Sequence, residues 1–290
     1  MERLTAVSRL NTQRVPVLPP RSAYLMQTML DESLNFRQAA EIVERFPSIA
    51  ARLIAVANSV WSSPVSPITS LEMACSRLGL SVVRSTSIAL AVASPFDSSH
   101  CPAFDKERFW CHLLLVADTA TWLAQKVADQ ARTPPLTARL AGLLHDLGLL
   151  WLVDQLGEET QQAILLSQQE PDISLSKALL DIIAIDYCEA GSILGSIWGL
   201  PEPLRVAMQH KTIQPGTRPH WQIALVVDLA DCLVSVMEKD IPCAIPDSRL
   251  QSLNLRHEHV GWVLQQLYQQ RESIQDLACI LFSHPCGALS

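Results

Sequence analysis

The segment Ala141-Gly-Leu-Leu-His145-Asp146-Leu-Gly148-Leu-Leu-Trp151 sets the hardest constraint on this chain. An adjacent histidine and aspartate lie between two leucine pairs and are followed at once by Gly148, which is expected to end the helix. On an otherwise apolar helix these are the only two groups that can bind a cation. Neighbouring helical residues point about 100° apart, so both reach one ion only if it sits beside the helix between them. Further ligands must then come from other helices, and the rest of the chain has to supply them.

Composition favours such a body. Of 290 residues, 49% are apolar and 18% charged, which is ample for a core and argues against disorder. Leucine and alanine dominate, there are only 10 glycines, and alternating β-type runs are scarce, so the expected fold is all-α. A net charge of -7 gives no electrostatic footprint for nucleic acid or an anionic membrane, and neither is expected as a partner. Met1 to Pro20 lacks the apolar core of a signal peptide, and runs such as Ile88 to Ala93 and Ile223 to Val227 are far short of a membrane span. The 8 cysteines form no Cys-x-x-Cys pair, and Cys75, Cys111, Cys188 and Cys232 fall in apolar helical stretches. Buried thiols in a reducing compartment fit that pattern, so the expectation is a soluble, cytoplasmic protein.

Local signals divide the chain into helices. Val15 to Pro20 reads as an extended lead-in, and a helix follows from about Ser22 to Leu30. Asn35 is expected to cap a helix through Val43, and Pro47 suits the first turn of the next. Trp61 to Pro67 reads as a loop. Thr69-Ser-Leu-Glu72 has capping-box spacing, Gly79 is a stop, and Ser81 is placed as the following cap. A long helix is expected from Asp105 to about Asp129, and Thr137 is expected to open the helix that reaches His145. Breaks fall near Asp186-Tyr187 and at Gly199-Leu-Pro201, Glu202 to His210 forms a short helix, and Ile213 to Arg218 is loop. An apolar helix from His220 to about Met237 carries Asp228 and Asp231. After Pro242 and Pro246, one helix runs through Val260 to Leu267 and a separate one from Ile274 to Phe282.

Polar groups on the apolar helices are the candidates for chemistry. His112 lies in or beside the buried stripe of its helix. Asp231, on a Leu/Val helix, is costly to bury and calls for a cation, a metal or a helix end, and Asp228 lies one turn earlier. In order, His112, His145-Asp146 and Asp231 give imidazoles and carboxylates on separate helices, which is what a single divalent ion between helices needs. His257-Glu-His259 reads instead as an exposed helix start.

This His…His-Asp…Asp order resembles the HD superfamily of metal-dependent phosphohydrolases, and the resemblance is sharper to its HDOD branch (HD-related output domain) of bacterial signalling proteins. Phe46-Pro-Ser-Ile-Ala-Ala-Arg-Leu-Ile-Ala-Val-Ala-Asn58-Ser59 is similar to an HDOD signature, as are Ile68 to Gly79, Phe109-Trp-Cys-His112, Ala141 to Gly148 and the Trp198-Gly-Leu-Pro201 end of Gly191 to Pro201. The likeness covers roughly Val15 to Leu233. It implies an N-terminal helical bundle over about residues 15–100 packed on an HD-like bundle over 101–290, as one continuous body.

The resemblance also implies a ligand set of His112, His145, Asp146 and Asp231 for one divalent ion (Mn, Fe, Mg or Zn), with Asp228 and His210 as secondary candidates. Two imidazoles of fuller sites are missing, because Tyr187 and Lys211 stand where histidines are common. A binuclear centre is thereby disfavoured. The expected function is that of a regulatory or adaptor protein acting on signalling partners through protein contacts, without turnover and with or without a bound ion. The alternative is a mononuclear phosphohydrolase acting on a nucleotide or cyclic dinucleotide, in which the ion acidifies a water and Lys211 contacts phosphate. A third reading is a nucleotide or metal sensor, favoured if Lys211 points into a pocket beside His145 and disfavoured if it faces solvent.

Overall fold

The computed structural model describes residues 18–282 apart from 32, 61, 130–131 and 240–244. The expected lead-in at Val15 to Val17, Trp61 at the head of its loop, and Pro242 lie outside the described residues. The described elements are all helical, without a strand. They fall into two compact units: residues 18–95 with 107–111 and 270–282, and residues 96–106 with 112–269.

The smaller unit holds α1 (Pro20–Met29), α2 (Phe36–Val43), α3 (Pro47–Asn58), α4 (Leu71–Leu78) and α5 (Leu80–Ala93). Caps set their ends. The Asn35 side chain accepts from the Gln38 N–H while Gln38 accepts from the Asn35 N–H, a reciprocal capping box that opens α2. The cap of α4 is Ser70, accepting from the Met73 N–H, and not Thr69; the spacing read from the sequence is one residue early. Gly79, at φ +80, separates α4 from α5, which starts at Leu80, so Ser81 lies within the first turn and caps nothing. Leu25, Met29, Leu53 and Ile88 are fully buried in this unit. Its longest connection is tied down by Asn58, whose amide donates to the Ile68 carbonyl at 2.7 Å and accepts from the Ile68 N–H at 2.8 Å. That pair of bonds fixes the two ends of the loop expected between α3 and α4.

The larger unit is built on α6 (Lys106–Lys126, from His112 onward), α7 (Pro135–Leu144), α8 (Leu147–Gln155), α9 (Gly157–Gln169), α10 (Leu175–Ile183), α11 (Tyr187–Ile197), α12 (Glu202–Ala207), a 3₁₀ turn at His210–Thr212, and α13 (Trp221–Lys239). It is completed by α14 (Asp247–Ser252) and α15 (His257–Phe282, to residue 269). Ser174 and Asp186 cap α10 and α11 by accepting from the Lys177 and Glu189 N–H groups. Ala184 in the left-handed region and Gly199 at φ +62 end the two helices that precede Asp186 and Pro201. The two C-terminal helices read from the sequence are one, running unbroken through residues 268–273, and α14 was not foreseen. Pro135, and not Thr137, opens α7, and α12 ends at Ala207 before the 3₁₀ turn at His210.

Pro135–Gln155 has the length and apolar composition of a membrane span, but 83% of that window is buried inside the protein. It is also two helices, α7 and α8, and serves as core: Leu147 to Val153 are all buried. Among the cysteines, Cys75, Cys101 and Cys188 are buried free thiols, and Cys111 is buried as well. Cys232 departs from that expectation, being disulfide-bonded.

Candidate metal centre

The chain breaks its most apolar stretch at the His-Asp pair itself. His145 closes α7 in a helical conformation, and Asp146, at φ −105 and ψ 17, sits in the sparsely populated bridge region before α8. The expectation of one helix through both residues, ended by Gly148, is therefore corrected: Gly148 is in the first turn of α8. Its role is close approach. A Cβ there would lie 1.9 Å from the Tyr187 carbonyl oxygen and 2.3 Å from the Gly191 nitrogen, so α8 and α11 touch backbone to backbone. Gly142 does the same three residues before His145, where a Cβ would lie 2.9 Å from the Ala117 Cα of α6. These two contacts hold the His-Asp turn between α6 and α11.

His145 is fully buried, and its Nδ1 donates to the Gly142 carbonyl at 2.7 Å. That bond uses one of the open carbonyls at the end of α7 and leaves the Nε2 lone pair aimed at the cluster. Asp146 Oδ1 lies 3.5 Å from this Nε2. From the 3₁₀ turn comes His210, its ring edge-on to His145 with centroids 4.8 Å apart. From α6 comes His112, whose Nε2 is 2.9 Å from Asp231 Oδ1 on α13. Two overlapping sets of donors result, His112–His145–Asp231 and His145–Asp146–His210, each with its donor atoms within 4.8 Å of one another.

All four principal residues read from the sequence thus converge, and His210 joins them. Asp228 does not: its carboxylate is paired with Arg249 of α14. The sequence reading missed Glu238, which sits 3.3 Å from His112 Nδ1. Its signal was available, since Glu238 follows Asp231 by two helical turns and shares its face. The His257–His259 stretch begins α15, with the His257 side chain 76% exposed, as expected of a solvent-facing helix start.

Lys211 follows neither of the two placements considered for it. Its side chain is 40% exposed, yet its ammonium turns inward and pairs with Asp231 Oδ2. Asp231 therefore has a protein cation on each oxygen, His112 on Oδ1 and Lys211 on Oδ2. Burial works against its charge, but the hydrogen bond with His112, the nearby His210 imidazole (Nε2 3.7 Å from Oδ2) and the Lys211 ammonium hold its carboxyl well below the usual range. Burial likewise opposes a charge on His112, and Asp231 with Glu238 outweigh it, pushing the imidazole up to about 10. His145 behaves oppositely, because burial dominates and brings it down to about 4 despite Asp146. Tyr187 is pushed well above its ordinary value, first by burial and then by Asp146, so it stays a neutral phenol, a weak ligand.

The fit to a divalent ion can be judged from the atoms left over. His145 Nε2, Asp146 Oδ1 and both His210 nitrogens are buried without a hydrogen-bond partner. Orphaned polar atoms of this kind are costly, and one cation would satisfy a single donor atom from each of the three residues, leaving the second His210 nitrogen as an N–H. Imidazole and carboxylate donors suit a borderline or hard divalent metal. The same cluster also carries its own cation at Asp231, so one half fits an ion and the other half is already neutralised.

The HDOD domain profile matches residues 15–213. Among curated proteins none matches the chain. Solved structures do: a Marinobacter aquaeolei VT8 protein provisionally assigned to signal transduction has a TM-score of 0.82 at 21% identity, with 97% of this chain and 66% of that one aligned. This chain spans just under two thirds of that protein. An HDOD domain protein of unknown function from Geobacter sulfurreducens has a TM-score of 0.74 at 22% identity, covering 97% and 99% of the two chains. A protein from Shewanella amazonensis SB2B provisionally assigned as a phosphohydrolase has a TM-score of 0.70 at 21% identity, covering 95% and 97%. At these identities the structures speak for the fold, whereas the profile covers well over half of the sequence. The chain belongs to the HDOD family.

Proposed function

We propose that this protein is a regulatory module of signal transduction that works through contacts with signalling proteins and does not turn over a substrate. One observation carries the reading: Asp231, the carboxylate at the centre of the cluster, is neutralised by His112 and Lys211. A divalent ion would have to take the His112 proton's place and push away an ammonium, each at an electrostatic cost. Tyr187, held as a neutral phenol, adds no strong donor. The provisional assignment of the Marinobacter protein to signal transduction is in keeping with this reading.

A second reading has its own observation. The unpartnered atoms of His145, Asp146 and His210 favour a single bound cation, with Asp231 and His112 beside it. An ion held there would supply the Lewis acidity of a phosphohydrolase. The two readings separate in a turnover assay with added Mn²⁺ on bis-p-nitrophenyl phosphate and on a cyclic dinucleotide. The regulatory reading expects wild-type rates equal to those of a His145→Ala, Asp146→Ala double variant. Turnover by the wild type that the double variant lacks would replace it with the hydrolase reading.

A further inference from the structure

Behind the 3₁₀ turn that carries His210 and Lys211, the same unit presents a different kind of site. A groove of about 410 Å³ lies between the start of α7, the start of α12 and the start of α13. Its apolar wall is Trp221, with Pro203 and Pro219 beside it, and its polar wall is Arg218, His220 and Arg132, the last paired with Asp129 at 3.1 Å. Among the described residues that line it there is no carboxylate, in a chain of net charge -7. Arg218 is shared with an adjoining groove of about 240 Å³, where it faces Arg205, Ser192, Ser196 and Gln209.

Three features mark the pair of grooves as preformed. Trp221 is packed against the buried cluster of Val206, Ile213 and Ala224, so its ring is held in place. Arg218 is oriented by donating to Gln209 Oε1 at 2.5 Å, and Gln209 in turn donates to Ser192 Oγ at 2.8 Å. His220, immediately before α13, has φ +60, a conformation a non-glycine residue holds only when its surroundings impose it. Arg205 supplies the remaining observation: its Nε is buried and has no hydrogen-bond partner. The one carboxylate of the smaller groove, Glu202, lies 3.8 Å from His220.

We infer that these grooves bind a small aromatic phosphate the size of a nucleoside monophosphate, its ring against Trp221 and its phosphate between Arg218 and Arg205. Guanidinium groups match phosphate oxygens in bidentate fashion and retain their charge at any working pH. A flat ring against an indole, with prolines as a stiff rim, binds at little ordering cost. The volume lies in the range of small-molecule sites. This site goes beyond the proposed function and needs no ion in the His-Asp cluster.

The test is calorimetric titration of the full chain in EDTA with adenosine monophosphate, and separately with adenosine and with inorganic phosphate. The monophosphate is expected to bind at least about ten-fold more tightly than either half, and Arg218→Ala is expected to weaken it about ten-fold or more. Arg205→Met is expected to act in the same direction, and the His145→Ala, Asp146→Ala variant to bind like wild type. Absence of binding at millimolar ligand would overturn the inference. So would binding that Arg218→Ala and Arg205→Met leave untouched, or binding that disappears in the His-Asp double variant, which would place the ligand in the cluster instead.

Discussion

Replacing Lys211 with methionine is expected to turn the cluster into one that retains a divalent ion. In the native chain the ammonium sits on Asp231 Oδ2, beside the unpartnered donors of His145, Asp146 and His210. Two unit charges about 4 Å apart interact by about 4 kcal/mol at an effective dielectric of about 20, and a dication doubles the repulsion. Because Lys211 is 40% exposed, solvent screens much of this, and about 1–2 kcal/mol is a sober remainder. That remainder corresponds to a gain of roughly five- to thirty-fold in ion affinity. Elemental analysis of protein purified without chelator should show the gain in Lys211→Met and its absence in Lys211→Arg, which keeps the charge. The metal should also raise the thermal midpoint of Lys211→Met, since Asp231 Oδ2, which loses the Lys211 ammonium, gains a new cationic partner when the ion is present. A Lys211→Met protein of native helicity that holds no more metal than wild type would show that Lys211 is not what keeps the ion out.

Gly148→Ala is expected to be the most damaging single-methyl change in the larger unit. The added carbon would sit 1.9 Å from the Tyr187 carbonyl oxygen and 2.3 Å from the Gly191 nitrogen, and both obstacles are backbone. No rotamer change relieves such a clash, so α8 and α11 must separate. Ordinary overpacking costs about 1–3 kcal/mol, and a backbone collision belongs at or above the top of that range. Since α8 begins directly after Asp146, the cluster should loosen as well. Urea denaturation followed by circular dichroism reads the first effect. An unchanged midpoint would mean that the two helices do not cross as closely as the structure places them.

How far the sequence revealed this architecture depended on the range of the interaction involved. Asn35 was legible because an N-cap is chosen by groups within three residues, whereas at Asp186 the sequence showed only a break and the structure makes it the cap of α11. Ser70 was misread as Thr69 because two adjacent hydroxyl residues offer the same local chemistry, and only the backbone geometry chooses between them. Gly148 looked like a helix stop because glycine has two uses. The one that applies here, close approach, depends on Tyr187 and Gly191, some forty residues away.

The same division holds in the cluster. His112, His145, Asp146 and Asp231 could be singled out because polar groups on apolar helices are rare and must find partners inside. Choosing between Asp228 and Asp231 could not be done from spacing, since residues three apart lie on neighbouring parts of one helix face. Arg249, on a short helix the sequence did not announce, takes Asp228. The inward turn of Lys211 was equally hidden, because a long flexible side chain at the surface can point either way until its partner is placed.

The most direct test of the account is the metal content of the wild-type chain purified without chelator, measured beside the His145→Ala, Asp146→Ala variant. With Lys211 and His112 already neutralising Asp231, both proteins should carry far less than one equivalent of Mn, Fe, Mg or Zn, and their helicity should match. Near one equivalent in the wild type, lost in the double variant, would contradict the account and make the cluster a working metal site.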